Sequence, residues 1–131
     1  MEMLKDNTEK RTILLLLPDG DDARTFCANL EQDFIPVRSG TAEECLRVMT
    51  ERYADLSAVI VDADLAVEDD CAFLKAAASK EHFATIPVLA VAKSWTEPLE
   101  NLCLAEGVVD FIIPPYRRGL VKQRIENAVN L

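Results

Sequence analysis

Short apolar runs alternate along this chain with longer stretches in which apolar residues recur every three or four positions. The first run is Thr12–Leu17 (TILLLL), and the strongest is Ser57–Asp64 (SAVIVDAD), in which Ala58–Val61 runs without a polar break into Asp62. Ile86–Ala92 (IPVLAVA) and Val108–Ile113 (VVDFII) follow, and a briefer run lies near Phe34–Val37. Apolar runs of this length, rich in branched side chains, predict strands buried on both faces, the pattern of a parallel sheet covered by helices. Pro87 fits such a strand only at its start.

The intervening stretches predict five helices. Their apolar stripes are Phe26, Cys27 and Leu30; then Cys45, Leu46 and Met49; then Cys71, Phe73, Leu74 and Ala77; then Leu99, Leu102 and Cys103; and last Val121, Ile125 and Ala128. Asp21 or Asp22 is placed to cap the first helix, Thr41 with Glu44 forms a capping box for the second, and Thr96 starts the fourth. DADLAVEDD reads as a loop before the third, and Gly107 suits the stop of the fourth. Five strands alternating with five helices predict an α/β doubly wound, flavodoxin-like (βα)5 sandwich. Its parallel five-stranded sheet is expected in the order 2-1-3-4-5, with helices one and five on one face and two to four on the other. Residues 1–10 read as a disordered lead-in and 11–131 as a single domain.

Composition narrows what such a domain does. With 131 residues and half of them hydrophobic, the chain can bury a substantial core. Its 14 Lys and Arg against 23 Asp and Glu give a net charge of −9, which argues against a nucleic-acid surface, since neutralising phosphates needs clustered cations. The polar start and the short apolar runs give neither a signal peptide nor a membrane span. Cys27, Cys45, Cys71 and Cys103 form no C-x-x-C pair and read as reduced core thiols, so the expected compartment is cytoplasmic.

The candidate chemistry lies where strands end. Open α/β sheets bind ligands at their carboxyl edge. Asp62 closes the third strand there, Asp64 follows two residues on, and Asp19 follows the first strand after Pro18. Glu68, Asp69 and Asp70 read as acids favoured by a helix start. His82 beside Glu81, and the aromatics Trp95 and Tyr116, read as surface residues.

The strand ending in Asp62, the IPVLAVA strand and the segment Gly107–Tyr116 (GVVDFIIPPY) together resemble the receiver domain of two-component response regulators, from Thr12 to about Val129. The resemblance implies a non-enzymatic signalling module. Asp62 would accept a phosphoryl group from a sensor histidine kinase. Mg²⁺, weakly held, would bind Asp19, Asp62 and the backbone carbonyl of Asp64, hard oxygen ligands of the kind that ion prefers. The switch positions would be Ala92, Phe111 and Pro114. The contact surface for an output domain or a second copy would comprise the fourth helix, fifth strand and fifth helix, with Phe111, Arg117, Arg118 and Lys122, and Arg124 adding to the positive charge.

Several positions depart from the family pattern. Ala92 stands where the family has Thr or Ser, Pro114 where it has Lys, and Pro18 where it has the first of two acids. Leu65-Ala66 and Asp70 replace the usual Met-Pro and Gly. Lys93 and Ser94 follow Ala92 closely, in what reads as a solvated loop. The expectation is an atypical receiver that signals by protein–protein interaction, the alternative being a conventional Mg²⁺-dependent phospho-accepting one. Asp62-Ala-Asp64 also resembles the D-x-D of haloacid-dehalogenase-type phosphatases, but that motif belongs on a first strand. A flavodoxin-like FMN carrier would set its phosphate against the acidic PDGDD loop.

Overall fold

The computed structural model describes residues 10–130; the lead-in read over residues 1–10 falls almost wholly outside them. Five strands form one parallel sheet in the order β2-β1-β3-β4-β5, where β1 is Thr12–Leu16, β2 Ile35–Ser39, β3 Leu56–Asp62, β4 Val88–Val91 and β5 Asp110–Ile112. The connecting helices are α1 (Asp21–Leu30), α2 (Ala42–Arg52), α3 (Ala63–Ser79), α4 (Glu97–Ala105) and α5 (Arg118–Val129), with a single helical turn at Glu81–Ala84.

The two faces of the sheet carry separate cores, because side chains alternate along each strand. Leu14, Leu16, Val59, Val61 and Ala90 point towards Cys45 and Met49 of α2, Phe73 and Leu74 of α3 and Cys103 of α4. Ile13, Leu15, Ile60, Leu89 and Ile112 point towards Phe26 and Leu30 of α1 and Val121 and Ile125 of α5. The placement of α1 and α5 opposite α2, α3 and α4 is the one the sequence predicts. All four cysteines are free thiols.

Local chemistry sets most element ends. Thr41 Oγ1 accepts from the Glu44 N–H at 3.1 Å, and Glu44 reaches back to the Gly40 N–H at 3.0 Å. Thr96 caps α4 through the Leu99 N–H, and Gly107 leaves that helix at φ 100°, a conformation that favours glycine.

Three expectations are corrected. Gly20, not Asp21 or Asp22, occupies the cap of α1, so both acids lie inside the first turn, where the helix dipole favours them. There is no loop after Asp62: its carboxylate caps a helix that starts at once at Ala63. The departure from helical geometry comes instead at Glu68–Cys71, where Asp69, Asp70 and Cys71 all have positive φ. Leu102 is exposed because it sits one position off the stripe that buries Cys103.

Candidate functional site

The strand registers align Ser39, Leu16, Asp62, Val91 and Ile112 near one edge of the sheet. Behind that edge lies a cavity of about 360 Å³ lined by Leu17, Pro18, Asp19, Gly20, Asp21, Asp22, Ala23, Phe26, Asp62, Val91, Lys93 and Tyr116. Asp19 and Asp62 therefore share one cavity, as two strands ending at one rim require.

Asp62 is the buried acid of the site, with 8% of its surface exposed. Its Oδ1 accepts from the Leu65 N–H at 3.0 Å. Burial pushes its carboxyl above the ordinary value and the charge of Asp64 adds to this, while the Leu65 and Asp64 N–H groups and the charge of Lys93 act the other way. Among the described residues no Lys or Arg forms an ion pair with it; Lys93 Nζ lies 3.4 Å from Asp22 instead.

Asp19 is engaged from outside the cavity. Arg38, at the end of β2, donates to the Leu17 carbonyl at 3.0 Å and pairs with the Asp19 carboxylate. Asp64 is exposed and does not line the cavity. It lies in the first turn of α3, where carbonyls point along the helix axis away from its N-terminus, and so away from Asp62. No group of three metal-ligating side chains exists among the described residues.

The switch positions are placed as follows. Ala92 is buried at the end of β4, and its backbone carbonyl accepts from the Tyr116 hydroxyl at 2.6 Å. Pro114 is exposed beyond β5 and has neither a charge nor an N–H to offer. Phe111 is 8% exposed and packs in the core with α3 and α4, so it offers almost no surface to a partner, contrary to expectation. Tyr116, read as a surface aromatic, turns inward instead: its ring meets Phe26 edge-on at 5.5 Å. Burial, followed by the charges of Asp62 and Asp22, pushes its phenol up to about 12.

The expected basic contact surface is also revised. Arg118 makes two bonds to Asp33, at 2.9 and 3.1 Å, and Lys122 approaches the same carboxylate at 3.7 Å. The Arg118 bond is the main reason that the Asp33 carboxyl falls below its usual value. Arg124 pairs with Asp110 at 2.7 Å. Three of the four cations thus neutralise acids of this chain, and Arg117 alone has no ion pair among the described residues. Among their polar residues, α4, β5 and α5 and their flanks also expose large apolar side chains: Leu102, Leu104, Val109, Ile113 and Leu120.

Arg38, Phe26 and Tyr116 are parts of the site that the sequence pattern did not single out. Only strand order, which brings the end of β2 beside that of β1, could have indicated Arg38.

No protein-family model matches the sequence, and neither does any curated protein. Solved structures do match. A response regulator from Chloroflexus aurantiacus aligns with TM-score 0.83 at 18% identity, over 94% of this chain and 100% of its own. The receiver domain of a sensor histidine kinase from Pseudomonas aeruginosa, crystallised with a magnesium ion in its active-site cleft, aligns with TM-score 0.81 at 16% identity, over 93% of this chain and 99% of its own. A chemotaxis response regulator of Vibrio cholerae aligns with TM-score 0.76 at 14% identity, over 91% and 98%. The chain has the fold of response-regulator receiver domains, with Asp62 at the end of its third strand.

Proposed function

We propose that this chain is a receiver-type module of two-component phosphorelay signalling that acts by protein–protein interaction, with Asp62 in the phosphoacceptor position but poorly phosphorylated. The observation that carries this reading is the surroundings of Asp62: a buried carboxylate at the ligand-binding rim, among other acids, with no cationic side chain paired to it. An acyl phosphate would bring nearly two negative charges into that cavity. Ala92 has no hydroxyl and Pro114 no cation with which to offset them. A hydrogen bond to a charged group is worth about 1.5–3 kcal/mol, so loss of the lysine alone lowers occupancy about ten- to a hundredfold.

Mg²⁺ binds weakly in this reading. Asp62 and Asp19 are the two carboxylates it would use, completed by water, and a site of one or two carboxylates suits this ion. Binding there competes with the Arg38–Asp19 pair. Partners are a sensor histidine kinase and an output domain or second copy, met through the exposed apolar residues of the α4–β5–α5 side. The module is non-enzymatic and cytoplasmic. No helix among the described residues is long and apolar enough to cross a membrane. The phosphatase reading loses support because Asp64 does not join Asp62 in the cavity.

The test is incubation with acetyl phosphate and Mg²⁺ followed by intact mass measurement. Little or no added mass is expected. Robust modification that disappears in Asp62→Asn and changes the oligomeric state would establish the conventional receiver instead.

A further inference from the structure

The cavity beside Asp62 has two unlike halves. Its inner wall is apolar, made by Phe26, Val91 and the Tyr116 ring, and its rim carries carboxylates. Three of the lining acids already have cations: Asp19 pairs with Arg38, Asp21 with Arg24, and Asp22 with Lys93 at 3.4 Å. The fourth, Asp62, is the most buried and has no ion pair among the described residues. Lys93 lines the same cavity and its charge is felt at Asp62, but its ion pair is with Asp22. A carboxylate out of bulk water without an ion pair of its own favours a cation that can reach it. The volume, about 360 Å³, lies at the lower end of the range of small-molecule sites.

From these features we infer that the cleft is a binding site for a small organic monocation, a primary amine on a compact apolar or aromatic body. The ammonium group sits at Asp62 and the body lies against Phe26, Val91 and Tyr116. An anion is disfavoured by the acids. A hydrated divalent ion gains nothing from the apolar wall, whereas an aryl or alkyl group buries surface there. Stacking on the Phe26 and Tyr116 rings adds to the attraction of an aromatic body. The inference deepens the reading of a receiver with little phosphorylation, since it gives the same cleft a ligand as its input, and it rests on Asp62 remaining free of phosphate.

The experiment is an amide NMR titration of the full chain with 2-phenylethylamine, benzyl alcohol and phenylacetate in turn, in metal-free buffer. Saturable shifts at Leu65, Val91 and Tyr116 are expected with the amine alone. Asp62→Asn, which can still cap α3, is expected to weaken the amine at least about tenfold while leaving the rest of the spectrum in place. Phe26→Leu tests the wall independently and is expected to weaken it about threefold. Absence of saturable shifts overturns the inference, as does equal binding of the alcohol or of the Asp62→Asn variant. None of these outcomes bears on acetyl phosphate labelling. Failure here leaves the low-phosphorylation reading standing, and strong labelling of Asp62 removes that reading whatever the amine does.

Discussion

Asp62 holds two jobs that pull its carboxyl in opposite directions. As the cap of α3 it satisfies the Leu65 N–H, which favours the charged form, while its burial disfavours that form and prevails. Because the folded value is raised above 3.8, the folded state holds its proton to higher pH than the unfolded chain does. The stability this confers is complete below 3.8 and is lost as pH rises through the raised folded value. Asn caps as well as Asp but carries no charge. Asp62→Asn is therefore expected to melt at higher temperature than the parent at pH 7 in metal-free buffer, with the gain shrinking as pH falls towards 3.8. Asp62→Ala should be less stable than Asp62→Asn by about 1 kcal/mol, the usual worth of a cap. Thermal melts at pH 7 and at low pH decide both points, and a pH-independent gain would mean that burial of the charge costs little. The position of Asp62 was legible from the apolar run that ends on it. Its capping role was not, because the apolar and acidic letters after it do not distinguish a loop from an immediate helix.

At the scale of elements, what the sequence made plain were structures specified by neighbouring residues. Thr41 with Glu44, Thr96 and Gly107 each act within one turn, and each is found where its chemistry put it. Apolar runs flanked by turns likewise gave five strands, although β1, β4 and β5 are shorter than their runs, with β5 reduced to Asp110–Ile112. Features set by tertiary packing were hidden. Nothing local announced that Arg118 and Lys122 converge on Asp33, because residues 85 apart in sequence must first be brought together by the packing of α5 on α1. The interruption of α3 was hidden for a related reason. Phe73, Leu74 and Ala77 reach the core, and so do Ala63 and Ala66, but the chain joins these two segments through positive φ at Asp69, Asp70 and Cys71. For residues with a Cβ that region carries a cost of roughly 1–2 kcal/mol, less for Asp. Asp69 is exposed, and its side chain has no hydrogen bond or ion pair among the described residues. Asp69→Gly is thus expected to stabilise the fold by up to about 1 kcal/mol, and Asp69→Val to destabilise it by more than that. Urea unfolding of the two variants checks the sign, and a loss of stability in the glycine variant would place the strain elsewhere.

The molecule as a whole is a strongly acidic domain that keeps its rim acids in check with its own cations, and this bears on the metal. Of the four carboxylates that line the cavity, Asp19 and Asp62 follow the ends of β1 and β3, and two carboxylates are enough for a weakly held Mg²⁺ completed by water. Asp19, however, is held by Arg38, whose second bond to the Leu17 carbonyl at 3.0 Å anchors the guanidinium over the loop after β1. An incoming ion must break an ion pair that already meets its charge requirement. The pair is largely solvent-exposed on the Asp19 side, so it is worth only about 0.2–1 kcal/mol, and its removal should tighten Mg²⁺ about two- to fivefold. Asp19→Asn should do the reverse, leaving Asp62 as the only one of the two ligand carboxylates and removing any measurable binding. Arg38→Met and Asp19→Asn, titrated with Mg²⁺ and followed by amide NMR at Gly20 and Leu65, give the two arms. A tighter response in the first and none in the second is expected. The same affinity in all three proteins would show that the ion, if it binds, does not use Asp19, and the rim of β1 would then contribute shape to the cleft without contributing a ligand.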